Sequence, residues 1–169
     1  RTHVARMFGE HPSREPGLSA SLLALLKDSD ARVRRAAAEA LARHPAESQI
    51  PPLLDALELA DPKDEQLVHA IRIALREQLR KAAGAASQFA AWGPQRERAL
   101  AAIALAVHPA SPALAGWLRD LLHRTWDDSS ITPESRLAWL KQSARYSADG
   151  DLAALVADAR AAAGESIPN

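Results

Sequence analysis

Apolar residues recur every three or four positions through most of the chain, and no segment alternates apolar and polar residues over the length of a strand. This spacing is typical of amphipathic helices. Prolines, glycines and capping side chains give the helix boundaries, so the chain is predicted to be all-α. The predicted helices are residues 3–8, 17–27, 31–43, 49–60, 64–81, 84–91, 95–107, 112–125, 133–146 and 150–163.

Four of these helices begin with a recognisable cap. Asp30 and Asp64 each precede a helix, where a carboxylate can accept hydrogen bonds from unpaired amides of the first turn. Ser111-Pro112 and Thr132-Pro133 place proline at the first helical position, where its missing donor costs nothing. The sequence therefore predicts N-caps at all four places.

Two stretches of the first half repeat one design: a short apolar helix, a polar turn and a second helix. Ala40-Leu41 of the first stretch corresponds to Ala74-Leu75 of the second, 34 residues later, whereas the turn aspartates Asp28 and Asp61 differ by 33. A helical pair of this size cannot bury its apolar face alone, so neighbouring pairs must stack on it. The clearest repeats are residues 18–44 and 50–81.

Looser pairs are predicted over residues 84–165, which makes the chain one domain, 1–169, built as an α-solenoid of about four to five antiparallel helical pairs. A four-helix bundle would instead need helices of similar length with heptad spacing, and the predicted helices are short and numerous. The later pairs are Arg96–Val107 with Ala113–Leu122, and Pro133–Tyr146 with Asp151–Ala162.

The residues around the first turn resemble a known repeat family. The stretch from Leu25 to Arg34 and the stretch Ala37-Ala-Glu-Ala-Leu41 resemble the HEAT repeat, especially the short form shared with phycobilisome-lyase-like proteins. The resemblance implies that Asp28 and Arg34 tie adjacent repeats together. It also places Val33 and Asp61 in the repeat motif, whereas Val68 stands where a second arginine would be expected.

A further likeness concerns the context of the chain. The stretch Pro51–Leu57, Asp61-Pro62 and the helix His69–Arg80 are similar to HEAT segments of large exported bacterial proteins that also carry propeller dehydrogenase and C-type cytochrome modules. The likeness implies a spacer in a periplasmic or secreted multidomain protein. The first residues, Arg1–Arg6, include no initiator methionine, which predicts a fragment of a longer chain.

Composition limits the chemistry that the chain can perform. There is no cysteine, which excludes disulfides and thiolate metal sites, and the six histidines show no metal-binding spacing on a helix. Gly-rich phosphate loops and Gly-x-Ser-x-Gly nucleophile elbows do not occur. We therefore expect no catalytic residue, cofactor or metal. The uncharged run 99–118 could span a bilayer by length, but its prolines predict a break near 108–111 and hence no membrane span.

Charge suggests where a partner could bind. The chain has 21 basic and 21 acidic residues, without the basic excess that nucleic-acid binding favours. Arginines four residues apart share one stripe of the helix at 64–81. In HEAT-like solenoids the second helix of each pair lines the concave surface, so these side chains are candidate contacts; the alternative is a solvated face offset by glutamates, including Glu77. The candidates are Arg34, Arg35, His69, Arg72, Arg76 and Arg80.

The four tryptophans divide into two groups. Trp117 and Trp139 lie among leucines at helical spacing, which predicts packing in the core. Trp92 and Trp126 lie next to helix ends, so they are candidate aromatic contacts.

These observations predict a non-catalytic scaffold or spacer that contacts another protein or neighbouring domains of the same chain. One alternative is a HEAT-like nucleic-acid-binding protein or DNA glycosylase, which would need a deep basic groove. The other is a lyase-like protein that binds a chromophore, which the resemblance to short repeats allows.

Overall fold

A computed structural model describes residues 2–10, 16–81 and 85–147, together with positions 154, 156, 157 and 160. All regular structure in these ranges is helical, which confirms the all-α prediction. Short 3-10 helices cover Glu47–Gln49 and Ala85–Trp92, and the predicted helix 150–163 falls mostly outside the described residues. The α-helices are α1 Thr2–Glu10, α2 Pro16–Leu25, α3 Ala31–Arg43, α4 Ile50–Leu59, α5 Glu65–Lys81, α6 Pro94–Ala104, α7 Pro112–Arg124 and α8 Pro133–Tyr146.

The predicted N-caps are confirmed. At each of the four helix starts a side-chain oxygen accepts a hydrogen bond from an amide of the first turn, which would otherwise lack a partner. The bonds join Asp30 to the amide of Arg32 (2.8 Å), Asp64 to that of Leu67 (3.1 Å), Ser111 to that of Leu114 (3.2 Å) and Thr132 to that of Ser135 (3.2 Å). Local sequence therefore fixes where these helices begin.

The chain divides into two compact units, Arg1–Val107 and His108–Asn169. In the first unit, α2 packs on α3 and α4 packs on α5, as predicted for helical pairs. The second helices also lie side by side, with α1 against α3, α3 against α5 and α5 against α6. This stacking of pairs is the solenoid arrangement expected from the repeats.

In the first unit, residues that lie 34 positions apart in α3 and α5 occupy equivalent places in the core. The positions of α3 and α5 that the sequence predicts to be equivalent are all buried. Leucines of α2 and α4, such as Leu22 and Leu53, are buried as well. Burying one valine, leucine or isoleucine side chain stabilises the fold by about 1.5–3 kcal/mol. The equivalent pairs are Val33 and Leu67, Ala37 and Ile71, Ala40 and Ala74, and Leu41 and Leu75.

The helix pairing of residues 85–146 differs from the prediction. In the first unit α6 packs against α5 and against the 3-10 helix Ala85–Trp92, which the sequence had left without a partner. Phe89 of that helix is fully buried and anchors it. In the second unit α7 packs against α8, and the predicted partner of α8, residues 151–162, lies mostly outside the described residues.

The uncharged run 99–118 breaks where its prolines predict. α6 ends at Ala104 and α7 begins at Pro112, so a turn separates two short helices. Among the helices described here, none is both long enough and apolar enough to cross a bilayer.

Candidate functional site

The exposed sides of α3, α5 and α6 form one face of the first unit, which we call the α3–α5–α6 face. Among the clefts on this face, two adjoin each other along α5. The α3/α5 cleft encloses about 560 Å³, and its lining includes Arg35, Glu39 and Glu77. The α5/α6 cleft encloses about 390 Å³, and its lining includes Arg72 and Arg76. His69 and Ile73 line both clefts, so α5 forms the ridge between them.

The structure brings four of the six predicted contact residues to this face. Arg35, His69, Arg72 and Arg76 line its clefts. Arg80 lies one turn further along α5. Arg34 instead lines a separate cleft of about 500 Å³ beside the turn that connects α2 to α3.

The arginine stripe of α5 is partly neutralised by one carboxylate. Arg76 Nη2 lies 3.1 Å from Glu77 Oε1, and Arg80 Nη2 lies 2.7 Å from Glu77 Oε2. These partly exposed pairs contribute only about 0–1 kcal/mol each to stability, and the single carboxylate of Glu77 offsets one of the three arginine charges. Arg72 forms no ion pair with any residue that the structure describes. The stripe is therefore offset only in part, and its role as a partner contact stays a prediction.

Polar contacts cross the α3/α5 cleft. Arg35 Nη1 of α3 donates to Gln66 Oε1 of α5, and Arg35 Nε lies 3.6 Å from Glu39 Oε1. The lining includes two arginines, Arg35 and Arg43, and two carboxylates, Glu39 and Glu77. Charge in this cleft is therefore balanced by side chains of the protein itself.

The repeat-motif residues hold the turn of the first pair. Arg34 Nη1 donates to the backbone oxygens of Asp28 (2.8 Å) and Ser29 (3.0 Å). Asp28 Oδ1 accepts from the amide of Asp30 at 3.0 Å. The resemblance implied a tie between adjacent repeats, but these bonds all lie within the α2/α3 pair. Val33 is buried in the core of the same pair.

The second turn uses Asp61 in the same way, but without an arginine. Asp61 Oδ1 accepts from the amide of Lys63 at 2.9 Å. Val68, which takes the place of Arg34, has no charged group to offer to the backbone carbonyls. Asp64 caps α5 as Asp30 caps α3.

Two buried glutamines were missed in the sequence. Gln78 Nε2 donates to the oxygen of Leu41 at 3.0 Å, while its Oε1 accepts from the amide of Ala46 at 2.6 Å. These bonds link α5 to the end of α3 and to the segment that follows α3. The spacing from Ile71 and Ala74 places Gln78 on the buried stripe of α5, so this contact could have been predicted.

Gln49 fixes the other side of the same connection. It is fully buried, and its Nε2 donates to Ser19 Oγ at 3.1 Å and to the oxygen of His44 at 3.0 Å. His44 in turn caps the C-terminus of α3, and its Nε2 lies 2.9 Å from the oxygen of Phe8. The connection from α3 to α4 is therefore tied to α1 and α2 through side chains.

An ion-pair cluster joins α4 to α6. Arg96 Nη2 lies 2.7 Å from Asp55 Oδ1, and Arg96 Nε lies 3.0 Å from Glu58 Oε1. The hydrogen bond from Arg96 lowers the pKa of Glu58, and the same bond raises the pKa of Arg96. The cluster lies between elements of neighbouring pairs and serves to position α6.

The tryptophans occupy the two environments predicted for them. Trp117 and Trp139 are buried in the second unit. Trp126 is 37% exposed, and the guanidinium carbon of Arg136 lies 5.7 Å from its ring centroid. Trp92, in the first unit, is half-buried and tilted against Phe89 with ring centroids 5.2 Å apart. No contact of Trp92 or Trp126 with a partner has been tested, so that role stays a prediction.

No group of three or more His, Asp or Glu side chains is arranged to hold a metal ion in the part of the chain that the structure describes. The exposed His69 faces arginine and apolar neighbours instead. In the second unit, His108 Nδ1 lies 3.0 Å from the hydroxyl of Tyr146.

Residues 1–76 match the family model of HEAT repeats. The match runs from α1 into α5 and so includes both helical pairs in which the sequence repeats itself. HEAT repeats commonly serve as scaffolds for protein interactions. The curated proteins and the solved structures gave no match to this chain.

Proposed function

We propose that the first unit is a non-catalytic docking module that binds a protein, or a neighbouring domain, on the α3–α5–α6 face. The observation that carries the proposal is the side-by-side packing of three successive second helices, which exposes two adjoining clefts. Stacked helices hold such a face rigidly, so little ordering is lost when a partner binds. Guanidinium groups beside apolar side chains are characteristic of protein interfaces.

The charge pattern favours a protein over a nucleic acid. Affinity for nucleic acid depends on cations that are free to neutralise phosphates. Here Arg76 and Arg80 face Glu77, and Arg35 bonds Gln66 and faces Glu39. No observation favours the chromophore-binding alternative. The proposal includes the role that the likeness to exported proteins implied, a spacer between the modules of a larger chain.

The proposal can be tested by panning a library of random peptides displayed on phage against the protein. Variants Ala42→Trp and Ala102→Trp fill one cleft each, and Ala24→Trp adds the same bulk to an exposed position of α2. We expect enriched clones to lose about tenfold or more in binding to at least one cleft variant while they retain binding to Ala24→Trp. Failure to enrich any clone, or equal binding to all variants, would contradict a docking face.

A further inference from the structure

The two clefts of the α3–α5–α6 face differ in charge. The α3/α5 cleft is lined by two arginines and two glutamates. The lining of the α5/α6 cleft includes His69, Arg72 and Arg76, and it contains no carboxylate among the described residues. The α5/α6 cleft therefore has a positive rim that nothing in its own lining compensates.

Arg72 accounts for most of this excess. Arg76 is matched by Glu77, whose side chain faces the other cleft. Arg72 is exposed and lacks an ion pair within the described ranges, so its guanidinium is available to a carboxylate from outside. Guanidinium and carboxylate groups form paired hydrogen bonds of well-defined geometry.

The floor of the α5/α6 cleft is apolar and lined by small side chains. Ala99 and Ala102 lie three residues apart on one side of α6, next to Ile103, and Ala106 follows in the turn after the helix. Ile73 faces them from α5. Alanine leaves space above the helix backbone, and the resulting cleft of about 390 Å³ can receive the larger apolar side chains of another helix.

We propose that the α5/α6 cleft binds an acidic amphipathic helix of a partner protein, with apolar side chains on the alanines of α6 and a carboxylate on Arg72. This inference rests on the proposed docking function and specifies its partner. The complementary charge selects an acidic segment, and the apolar floor selects a helix face over a phosphate backbone.

The probe is a fluorescein-labelled 16-residue model helix with a leucine stripe flanked by glutamates; its twin carries lysines at the same places. Anisotropy titrations with the intact protein should show binding of the glutamate peptide that is about tenfold tighter than that of the lysine peptide. Arg72→Glu should reverse this preference. Arg32→Glu removes the same charge from a side chain that is 81% exposed at the start of α3, and it should leave the preference intact.

Each other result contradicts the inference. Equal binding of both peptides, or equal effects of Arg72→Glu and Arg32→Glu, would show that Arg72 does not select acidic partners. Loss of binding only in Ala42→Trp would place the peptide in the α3/α5 cleft. In both cases the panning experiment can still support the docking function. If neither peptide binds, or if a 16-nucleotide single strand binds through Arg72 in their place, the acidic helix is the wrong ligand.

Discussion

The Arg34 side chain closes the turn of the α2/α3 pair through two backbone carbonyls, whereas Val68 stands at the equivalent place in the α4/α5 pair and its side chain has no donor. The buried positions of the two pairs nevertheless correspond one by one, from Val33 and Leu67 to Leu41 and Leu75. The comparison shows that the stacking of the helical pairs depends on the apolar residues that both pairs share. The side-chain contact of the turn is absent from the α4/α5 pair, which is packed nonetheless.

The largest expected effect tests whether the buried apolar residues of α3 and of α5 contribute equally to stability. Leu41 and Leu75 are both fully buried, so Leu41→Ala and Leu75→Ala should each lower the free energy of unfolding by about 2–5 kcal/mol. Urea denaturation followed by circular dichroism measures both values. The control Leu59→Ala truncates a leucine that is 84% exposed and should change stability by less than about 0.5 kcal/mol. A small loss in only one of the two core variants would show that the pairs are not packed alike.

The next effect concerns the polar link between the pairs. Gln78→Ala leaves the Leu41 carbonyl and the Ala46 amide without their partner in a buried place, so the free energy of unfolding should fall by about 1–3 kcal/mol. Gln95→Ala, at an exposed position of α6, should cost less than about 0.5 kcal/mol. Equal losses in the same urea experiment would mean that Gln78 does not link the pairs.

A smaller effect on stability is expected at the two turns, because only the first contains an arginine that bonds the backbone. Arg34→Met removes two hydrogen bonds to carbonyls and should lower the free energy of unfolding by about 0.5–1.5 kcal/mol. Val68→Met changes the equivalent residue without removing a polar contact and should have an effect within about 0.5 kcal/mol. Thermal unfolding of both variants measures the difference. If Arg34→Met were as mild as Val68→Met, the arginine would contribute nothing to the first turn.

The smallest effect is pH-dependent. The hydrogen bond from Arg96 lowers the pKa of Glu58 in the folded protein, so Glu58 adds stability at neutral pH that is lost as pH falls through its folded pKa. Glu58→Gln should therefore be slightly less stable than the parent at neutral pH and equally stable in acid. NMR titration of the Glu58 carboxyl group should give a pKa that rises towards its ordinary value in Arg96→Gln. An unchanged pKa would contradict the role of Arg96.

Local signals predicted much of the fold. The caps at Asp30 and Thr132 and the prolines beside the helix ends act within one turn, so the boundaries of α3 and α8 were predicted to the residue. The pairing of α6 was not predicted, because the 3-10 helix Ala85–Trp92 is short and rich in alanine and its packing depends on the buried Phe89. A short helix that is held by one buried side chain leaves no periodic pattern in the sequence.

The candidate site was predicted only in outline. The four-residue spacing placed Arg72 and Arg76 on one stripe of α5, and Glu77 was named among the carboxylates that could offset it. Spacing could not show that α6 packs beside α5 and adds the alanine floor of a cleft. It also could not show that Arg72, unlike Arg76, forms no ion pair with a described residue.

The side-by-side packing of α3 and α5 is the basis of both the stacked fold and the proposed docking face, and NMR tests it most directly at Gln78. The structure predicts nuclear Overhauser effects between the side-chain amide protons of Gln78 and the backbone amide proton of Ala46, together with slow solvent exchange of those side-chain protons. Rapid exchange, with contacts only to residues of α5 itself, would contradict the stacked arrangement.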